Sequence, residues 1–577
     1  MCSWAARGPW SGSGSACGRE SDRANGRGGA SATFCSRQRA RASPPPVGTP
    51  VAQRTWPCDI RQRTQREHRP MTRPNILFIT TDQQRADHLG CAGNGVLRTP
   101  HIDRLATEGS RFDRCHVNNP LCMPSRATMM TGRNPRSHGV WCNGVPLPAD
   151  ETTVAELLTD AGYATALIGK AHFTPWGSEV PGESGITEHM ASWNQDGVGR
   201  GWDGPYYGFE HVDLALGHGN AAGHYRHWLE NEYPEALSAF GRDAALEPPT
   251  GTPQAWKSSL PVEAHSSTYV ADRSVEYMRQ RSQENAPFFL WASFPDPHHP
   301  YSPPAPYCDM YAPDDVSLPT REEARTEGAP NELLDKPPHY LDDYFSTIRT
   351  DGSGPHNRLS ELTDDNVRET IALTYGMMAL VDDSIGRMWS AMDELALWED
   401  TLVVYCSDHG DLMGDHWLMN KGPFHYDGLL RVPCIARAPG GSGAAGQTVE
   451  SFAQLIDLPL TFLDYAGVEP AFGMQGRSLR GAIEASDDDA PEAILIENSS
   501  GELPHLKLKT VQTRDWKITV YAGQEYGELY DLRHDPHEFR NLWPSTEHAA
   551  TKAELRALLL DMVVESEDRL PRRLCHA

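Results

Sequence analysis

Three features are missing from this sequence: a long hydrophobic run, an N-terminal export signal and an internal repeat. No stretch approaches the roughly 18 consecutive apolar residues that a membrane-spanning helix needs. The N-terminal region contains neither an apolar core of the signal-peptide kind nor the paired arginines of a twin-arginine signal. These absences predict a cytoplasmic protein without a membrane partner.

Cysteine is present, but never in the spacing that zinc sites use. Twelve cysteines are scattered along 577 residues, and no two of them form a CxxC pair. A cysteine-based zinc site is therefore not expected, and neither is a disulfide framework in a chain this long without an export signal. A cysteine with a special role must be identified by its neighbours.

Basic residues are scarce relative to acidic ones. The net charge is −26 at pH 7, from 52 Lys and Arg against 78 Asp and Glu. Residues 1–70 alone carry +8, so the remainder carries −34. A body of this charge does not suit nucleic-acid phosphates or an anionic membrane surface, and it favours solubility and divalent cations. We expect no nucleic-acid partner.

The first 70 residues differ from the rest in composition. They are rich in Arg, Gly, Ser and Pro, which predicts a disordered basic leader; a nucleic-acid-binding arm is the alternative interpretation. Met71 stands directly before the first strand-like run. We therefore hypothesise that translation begins at Met71 and that the leader is not part of the native protein.

Short apolar runs alternate with helical patterns over most of the remaining chain. Four runs predict buried strands, at 75–81, 164–168, 287–294 and 402–405. Helical patterns occur around 103–108, at 152–161, through 378–388 and at 458–466. This alternation predicts an α/β fold in which helices cover both faces of a mostly parallel sheet.

Changes in texture along the chain predict its domains. Residues 71–451 form the predicted catalytic domain, in which the polar stretch 173–285 is expected to be an insertion over the sheet edge. From residue 452 to 577 the units become shorter, with strand-like pieces at 517–521 and 529–532. We expect a smaller C-terminal α+β subdomain there.

Polar residues follow the predicted strands at four places. These are Asp82-Gln83, Lys170-Ala171-His172, His298 and Asp408-His409. Taken singly, such a residue is more often a turn or cap residue than a ligand. Because loops at the carboxyl ends of parallel strands gather at one edge of the sheet, the four together indicate a single site.

One segment points to the chemistry of that site. It runs from Leu121-Cys122-Met123-Pro124-Ser125-Arg126 to Thr131-Gly132. Pro124 suits the first turn of a helix, so Cys122 is expected at a helix N-terminus, where amides and the helix dipole favour an anion. A buried structural cysteine before a surface helix is the alternative, but it leaves the Pro, Ser and Arg at fixed places unexplained.

Here the sequence resembles the formylglycine-dependent type I sulfatase family of the alkaline-phosphatase superfamily. The family motif, Cys-x-Pro-Ser-Arg followed by four residues and Thr-Gly, is matched without a gap from Cys122 to Gly132. Other stretches agree in order: GYATALIGKAH (162–172), PHHP (297–300), SDHGDLMGDH (407–416), QGRSL (475–479) and ELYDLRHDPHEFRNL (528–542). The resemblance covers roughly residues 72–545 and implies an alkaline-phosphatase-like fold.

The resemblance also implies the nucleophile and the reaction. In the family, a formylglycine-generating enzyme oxidises the motif cysteine, here Cys122, to an aldehyde. The hydrated aldehyde attacks the sulfur of a small, aryl or carbohydrate sulfate ester with one geminal hydroxyl, and the other later expels sulfate. The expected partners are thus a small-molecule sulfate ester and the maturation enzyme, and a homo-oligomer is left open.

Roles for the other motif residues follow from the same resemblance. Arg126 and Lys170 are expected to hold the modified Cys122. His172 is the expected base for sulfate release, and His298 with Lys421 binds sulfate and protonates the leaving oxygen. Asn143 is similar to a substrate-oxygen contact of some subgroups, and His299 is the alternative to its neighbour His298.

The resemblance implies one divalent metal ion. Its expected ligands are Asp82, Gln83, the modified Cys122, Asp408 and His409. Oxygen ligands favour a hard ion such as Ca²⁺, Mg²⁺ or Mn²⁺. The resemblance implies Ca²⁺ first, with Mn²⁺ or Mg²⁺ as alternatives. Many sulfatases have a second acid and an Asn where this chain has Gln83 and His409, and these departures leave the identity of the ion open.

Other interpretations stay open. A phosphonate monoester or phosphodiester hydrolase of the same superfamily would share Gln83 and His409, but those relatives tend to lack the Lys170-x-His172 pair. A non-catalytic binding protein on the same scaffold would keep Cys122 unmodified. A second metal site at His218, His224 and His227 is a weak hypothesis, because histidines in a polar insertion are more often solvated.

Overall fold

The computed structural model describes residues 73–179, 187–193, 199–284, 286–326, 328–346, 358–443, 445–486 and 489–573. The leader predicted at 1–70 and the hypothetical start at Met71 lie outside the described residues. Within the part that is described, no helix is both long enough and apolar enough to cross a membrane.

The strands, in chain order, are β1 (Asn75–Thr81), β2 (Ser110–His116), β3 (Ala164–Gly169), β4 (His211–Leu216), β5 (Ala222–Gly223), β6 (Phe288–Ser293), β7 (Arg325–Thr326), β8 (Ala329–Pro330), β9 (Thr401–Ser407), β10 (Cys434–Arg437), β11 (Gln447–Gln454), β12 (Ala493–Ser499), β13 (Lys507–Thr513), β14 (Trp516–Tyr521) and β15 (Gly527–Asp531).

The helices are α1 (Pro100–Glu108), α2 (Cys122–Thr131), α3 (Pro135–His138), α4 (Val154–Asp160), α5 (Met190–Trp193), α6 (His224–Glu232), α7 (Ser266–Arg281), α8 (Asn331–Leu334), α9 (Pro338–Phe345), α10 (Asp364–Glu394), α11 (Asp427–Leu430), α12 (Asp457–Ala466), α13 (Arg480–Ile483) and α14 (Ala549–Glu565).

Among the described residues, nine strands form one large sheet in the order β11-β2-β10-β9-β1-β6-β3-β4-β5. Its centre is parallel: β1 lies between β9 and β6, and β3 lies between β6 and β4. β10 runs antiparallel to both β9 and β2. The predicted α/β fold with a mostly parallel sheet is therefore confirmed.

Both faces of this sheet are buried, which explains why its strands read as continuous apolar runs. In β1, Leu77 and Ile79 belong to one hydrophobic core, whereas Ile76 and Phe78 belong to the other. Helices α1, α7 and α10 contribute to the first core, and α2, α4 and α12 contribute to the second. The sheet is thus sandwiched by helices, as predicted.

The polar stretch 173–285 contributes more than an insertion over the sheet edge. It supplies β4, which pairs with β3, and α7, which packs on β3 and β6. Sequence analysis missed β4 because its apolar run is short and contains Asp213. The strand extends the sheet at the edge where the insertion was expected.

The C-terminal part has its own antiparallel sheet, in the order β12-β13-β14-β15. Helix α14 packs on one face, where Leu555 and Leu559 meet Val511 and Ile518. β11, which spans the predicted boundary at residue 452, still pairs with β2 in the large sheet, and α12 packs in the same core. The domain limits at 70 and 452 stay predictions.

Trp291 of β6 connects the second core to the edge of the sheet where the motif residues lie. Its ring is fully buried and stacks on Phe78 with a centroid distance of 5.5 Å, and its Nε1 donates to Thr80 Oγ1 at 2.8 Å. The guanidinium of Arg126 lies over the same ring, 5.6 Å from its centroid. Core packing therefore supports Arg126, which belongs to the Cys-x-Pro-Ser-Arg segment.

We expect Trp291→Ala to lower the free energy of unfolding by about 3–5 kcal/mol, because it leaves a large cavity in a dry core. Urea denaturation followed by circular dichroism measures the change. Trp141→Ala is the matched control, since the Trp141 side chain is 43% exposed and its loss should shift the midpoint little. Equal shifts for both variants would contradict this account of the core.

Candidate active site

The four predicted polar positions meet at one edge of the large sheet. Asp82 and Gln83 follow β1, Lys170 follows β3, His298 follows β6, and Asp408 with His409 follows β9. These strands are parallel, so their carboxyl ends point the same way. The side chains of these residues converge there, and each of them is buried.

Cys122 begins α2, as the position of Pro124 predicts. Leu121 is the residue before the first turn, and all ten residues of α2 are buried. The Sγ of Cys122 lies 3.0 Å from Lys421 Nζ, 3.1 Å from His409 Nε2 and 3.7 Å from Asp82 Oδ1. A reactive group at this position faces both a cation and the predicted metal ligands.

Electrostatics at Cys122 favour negative charge. Burial and the carboxylate of Asp82 would each raise the pKa of the thiol, but Lys170, Lys421 and His409 together lower that pKa below its usual value. The helix N-terminus acts in the same direction. The position therefore stabilises negative charge, whether the charge lies on the Cys122 sulfur or on a bound anion.

Asn143 lies against the first turn of α2. Its Oδ1 accepts a hydrogen bond from the backbone amide of Met123 at 3.0 Å. This contact satisfies one of the free amides at the helix N-terminus and places the Asn143 amide one residue away from Cys122. The predicted contact with a substrate oxygen stays a prediction.

Asp82, Asp408 and His409, together with Cys122, form a cluster whose potential ligand atoms all lie within 4.8 Å of one another. All four side chains are buried. Burial would raise the pKa of Asp82, but Lys170, Lys421 and Arg126 hold it well below its usual range, so the carboxylate is ionised. Two carboxylates and one imidazole fit a divalent cation that prefers oxygen ligands.

Gln83 completes the surroundings of this cluster. Its φ of 63° lies in the left-handed region, and its backbone amide donates to Asp408 Oδ1 at 3.1 Å. Its side-chain Oε1 accepts from Lys421 Nζ at 3.2 Å, and its Nε2 donates to Asp411 Oδ2 at 2.6 Å. The amide oxygen thus faces the site, where it could serve as a further oxygen ligand.

Arg126 connects α2 to the ends of three strands. Its Nε donates to Asp408 Oδ2 at 2.8 Å, and both side chains are fully buried. Its Nη1 donates to the carbonyl of Lys170 and to Ser293 Oγ, each at 2.8 Å. In this structure Arg126 positions a predicted metal ligand, and its expected contact with the modified residue 122 stays a prediction.

The two lysines occupy different sides of the cluster. Lys170 Nζ forms an ion pair with Asp82 Oδ2, and both side chains are fully buried. Lys421 Nζ lies 3.0 Å from Cys122 Sγ, 2.8 Å from His298 Nε2 and 3.2 Å from His409 Nε2. Of the predicted cations, Lys421 is therefore the one that contacts Cys122 directly.

His298 and His299 face different partners. His298 Nδ1 lies 2.5 Å from the carbonyl oxygen of His299, and its Nε2 faces Lys421. The ring of His299 lies instead between the amides of Gln83 and Asn420, at 3.0 and 2.9 Å from its Nδ1. The structure places His298 on the side of Cys122, as the Pro-His-x-Pro pattern predicts.

His172 is held in an unusual backbone conformation beside the site. Its φ is 62°, and its ring stacks on Trp176 with a centroid distance of 4.1 Å. Burial lowers the pKa of the imidazole well below its usual value, and Lys170 and Arg126 lower it further. The ring is therefore neutral at neutral pH.

Sequence analysis missed Glu188, which fixes the loop of His172. The buried carboxylate accepts from the backbone amides of His172 and Phe173, each at 2.7 Å, and of Thr174 at 3.1 Å. Trp176 Nε1 also donates to it, at 3.1 Å. No local motif reveals this role, because Glu188 is distant in sequence from the amides that it binds.

His218 also lies in the site, in a role that sequence analysis did not predict. The hypothetical metal site at His218, His224 and His227 is not formed among the described residues: His224 Nδ1 accepts from the backbone amide of Leu214, away from the catalytic cluster. His218 instead faces Asp82, with its Nε2 3.5 Å from Oδ2. A correct prediction of β4 would have identified His218 as a site residue, because His218 follows the carboxyl end of that strand.

The charge balance of the site is opposite to that of the whole protein. Arg126, Lys170 and Lys421 outnumber the two carboxylates of Asp82 and Asp408, even before a metal ion is counted. A site of this sign attracts anions although the protein is acidic overall. The arrangement suits an oxyanion placed between Cys122, Lys421 and the metal ligands.

Comparisons with known proteins agree with this geometry. Residues 74–468 match the family model described as Sulfatase, and residues 414–565 match the model described as N-sulphoglucosamine sulphohydrolase, C-terminal. The chain is 29% identical over 493 residues to an arylsulfatase of Clostridium perfringens, covering 85% of this chain and 94% of that protein.

Two further relatives show how broad the similarity is. The chain is 29% identical over 530 residues to the multifunctional alkaline phosphatase superfamily protein PehA of Trinickia caryophylli, covering 86% of this chain and 97% of that one. A crystal structure of a phosphonate monoester hydrolase of Agrobacterium radiobacter superposes with a TM-score of 0.73 at 27% identity, covering 87% and 98% of the two chains. The Sulfatase model matches well over half of the length of this chain, and the chain therefore belongs to the sulfatase family of enzymes.

Proposed function

We propose that this enzyme hydrolyses a sulfate ester, with Cys122 oxidised to formylglycine and one divalent ion, Ca²⁺ first, between Asp82, Asp408 and His409. The observation that carries the proposal is the place of Cys122 Sγ, at the start of α2 and within 3.7 Å of Lys421, His409 and Asp82. When bound, the ion supplies Lewis-acid stabilisation of sulfate oxygens, and the hydrated aldehyde supplies the nucleophilic hydroxyl.

Lys421 and His298 form the pair that would serve the leaving group. His298 Nδ1 donates to the carbonyl of His299, so its Nε2 accepts from the Lys421 ammonium at 2.8 Å. Burial holds the pKa of His298 well below its usual value, and its neighbours His218 and Lys421 lower it further. Lys421 is therefore the member that carries the proton, and His298 passes or orients it.

The neutral imidazole of His172 suits the role of base. Lys170 lies two residues before it in sequence and pairs with Asp82, so the base and this cation come from the same loop. A cationic Lys170 adds positive charge where sulfate oxygens would lie. This pair supports a sulfate ester over a phosphonate ester, since the phosphonate hydrolases tend to have neutral hydroxyl residues there.

A phosphonate monoester or phosphodiester hydrolase is the second candidate. The observation in its favour is the structural similarity to the phosphonate monoester hydrolase of Agrobacterium radiobacter, together with the Gln83 and His409 types. A non-catalytic relative would require a free thiol at Cys122. Substrate tests and the chemical state of residue 122 separate these possibilities.

We expect Cys122 to be converted when the protein is produced together with a formylglycine-generating enzyme. Mass spectrometry of the tryptic peptide should show a loss of about 18 Da, as a CH₂SH group becomes an aldehyde. Cys122→Ala should abolish turnover, whereas Cys91→Ser, beside Asp103 of α1, should retain it. An unmodified thiol in an active preparation would refute the proposed nucleophile.

The substrate class can be tested with two esters of the same phenol. We expect kcat/KM to be higher for 4-nitrophenyl sulfate than for 4-nitrophenyl phenylphosphonate. Lys170→Ala should lower kcat/KM for the sulfate by about 100-fold or more, because it removes a buried cation from the oxyanion site. A clear preference of the native enzyme for the phosphonate would reverse the ranking of the two candidates.

Metal binding can be measured apart from turnover. A ligand that binds only the folded protein raises its stability, so Ca²⁺ added after chelation should raise Tm in a concentration-dependent way. Asp82→Asn should lose this shift, since it removes a carboxylate from the predicted ligand set. Asp393→Asn, at an exposed position, is the control; an unchanged shift in Asp82→Asn would place the ion elsewhere.

A further inference from the structure

His218 lies in a turn that packs closely against the loop of His298. The turn follows β4, and the glycines on either side of His218 both have positive φ, 88° at Gly217 and 59° at Gly219. A Cβ at Gly219 would lie only 2.5 Å from Pro300 Cγ. Only glycine therefore allows this turn to rest against the loop that carries His298.

The two imidazoles are stacked. The rings of His218 and His298 have a centroid distance of 3.6 Å and an interplanar angle of 8°. Trp176 packs on His218 at 5.0 Å and on His172 at 4.1 Å. His172, Trp176, His218 and His298 thus form a row of rings along one wall of the site, and His218 links the two predicted proton-transfer residues.

The polar edge of His218 faces charged groups from two other loops. Its Nε2 lies 3.3 Å from Lys170 Nζ, from which it accepts a hydrogen bond, and 3.5 Å from Asp82 Oδ2. The side chain is 12% exposed. Within the described part of the chain, no partner is found for its buried Nδ1. The Lys170 ammonium therefore contacts both the His218 ring and the Asp82 carboxylate.

We propose that His218 is a positioning residue for sulfate ester hydrolysis: its ring fixes the plane of His298 so that the His298–Lys421 pair points at the leaving-group oxygen. The inference rests on the function proposed above. Two hydrogen bonds anchor the ring nitrogens of His298: Nδ1 donates to the carbonyl of His299, and Nε2 accepts from Lys421. Of the two rings packed against it, His218 is nearly parallel, at 3.6 Å and 8°, whereas His299 is tilted, at 4.0 Å and 31°. The parallel stack with His218 is therefore the contact that sets the tilt of the His298 ring. The Lys170 contact holds His218 in register with that ring.

Leaving groups of different basicity test this role. A phenol of low acidity needs protonation as it departs, whereas 4-nitrophenol departs without it. We expect His218→Ala to lower kcat for phenyl sulfate about tenfold or more and to lower kcat for 4-nitrophenyl sulfate much less. KM should change little for both substrates, because His218 acts through His298.

Two conservative variants separate stacking from hydrogen bonding. His218→Phe keeps a flat ring on His298 but removes the acceptor for Lys170, and it should restore most of kcat on phenyl sulfate. His218→Gln keeps an acceptor but no ring, and it should behave like His218→Ala. His211→Ala, on β4 at a partly exposed position, is the control and should match the native enzyme on both substrates.

Metal content and conversion of Cys122 are measured for every variant, so that a loss of either is not mistaken for misalignment. If fully converted and metallated His218→Ala loses kcat equally on both sulfates, or loses none, the positioning role is overturned. If His218→Ala does not fold, the role is overturned when kcat of His218→Phe on phenyl sulfate does not exceed that of His218→Gln. A converted, metallated native enzyme that is inactive on both sulfates but hydrolyses 4-nitrophenyl phenylphosphonate would instead refute the proposed function.

Discussion

The buried ion pair between Arg126 and Asp408 holds the site together. Its Nε–Oδ2 distance is 2.8 Å and neither side chain is exposed, so removal of one partner would leave an uncompensated charge in a dry core, at a cost of about 3–5 kcal/mol. Because Arg126 also binds the Lys170 carbonyl and Ser293 Oγ, one guanidinium ties α2 to the ends of β9, β3 and β6. The position of Cys122 relative to the predicted metal ligands depends on this connection.

The charge of the site differs in sign from the net charge of the whole protein. The chain carries −26 overall, yet the cluster around Cys122 gathers Arg126, Lys170 and Lys421 around the carboxylates of Asp82 and Asp408. Buried cations lower the pKa of Asp82, and buried anions raise the pKa of Lys421, so Asp82 stays ionised and Lys421 stays protonated. Such a site selects an anion by local fields, while the acidic surface serves solubility.

Much of the fold and of the site could be predicted from the sequence. The runs at 75–81 and 402–405 gave strands β1 and β9, and the Cys-x-Pro-Ser-Arg segment gave helix α2 with Cys122 at its start. These predictions succeed because strand and helix patterns and the residues next to them are local. By contrast, β4 was missed, since a short apolar run inside a polar stretch has no clear periodicity.

The sequence by itself determined which residue types stand after each strand and that Cys122 begins a helix. Only the tertiary structure decided which of them touch: Lys421 rather than Arg126 or Lys170 lies against Cys122, and His218 lies on His298. Glu188 likewise acquires its role only by accepting amides of a loop brought to it by folding. The physical reason is that side-chain contacts between distant segments depend on sheet order and loop packing, which no local pattern specifies.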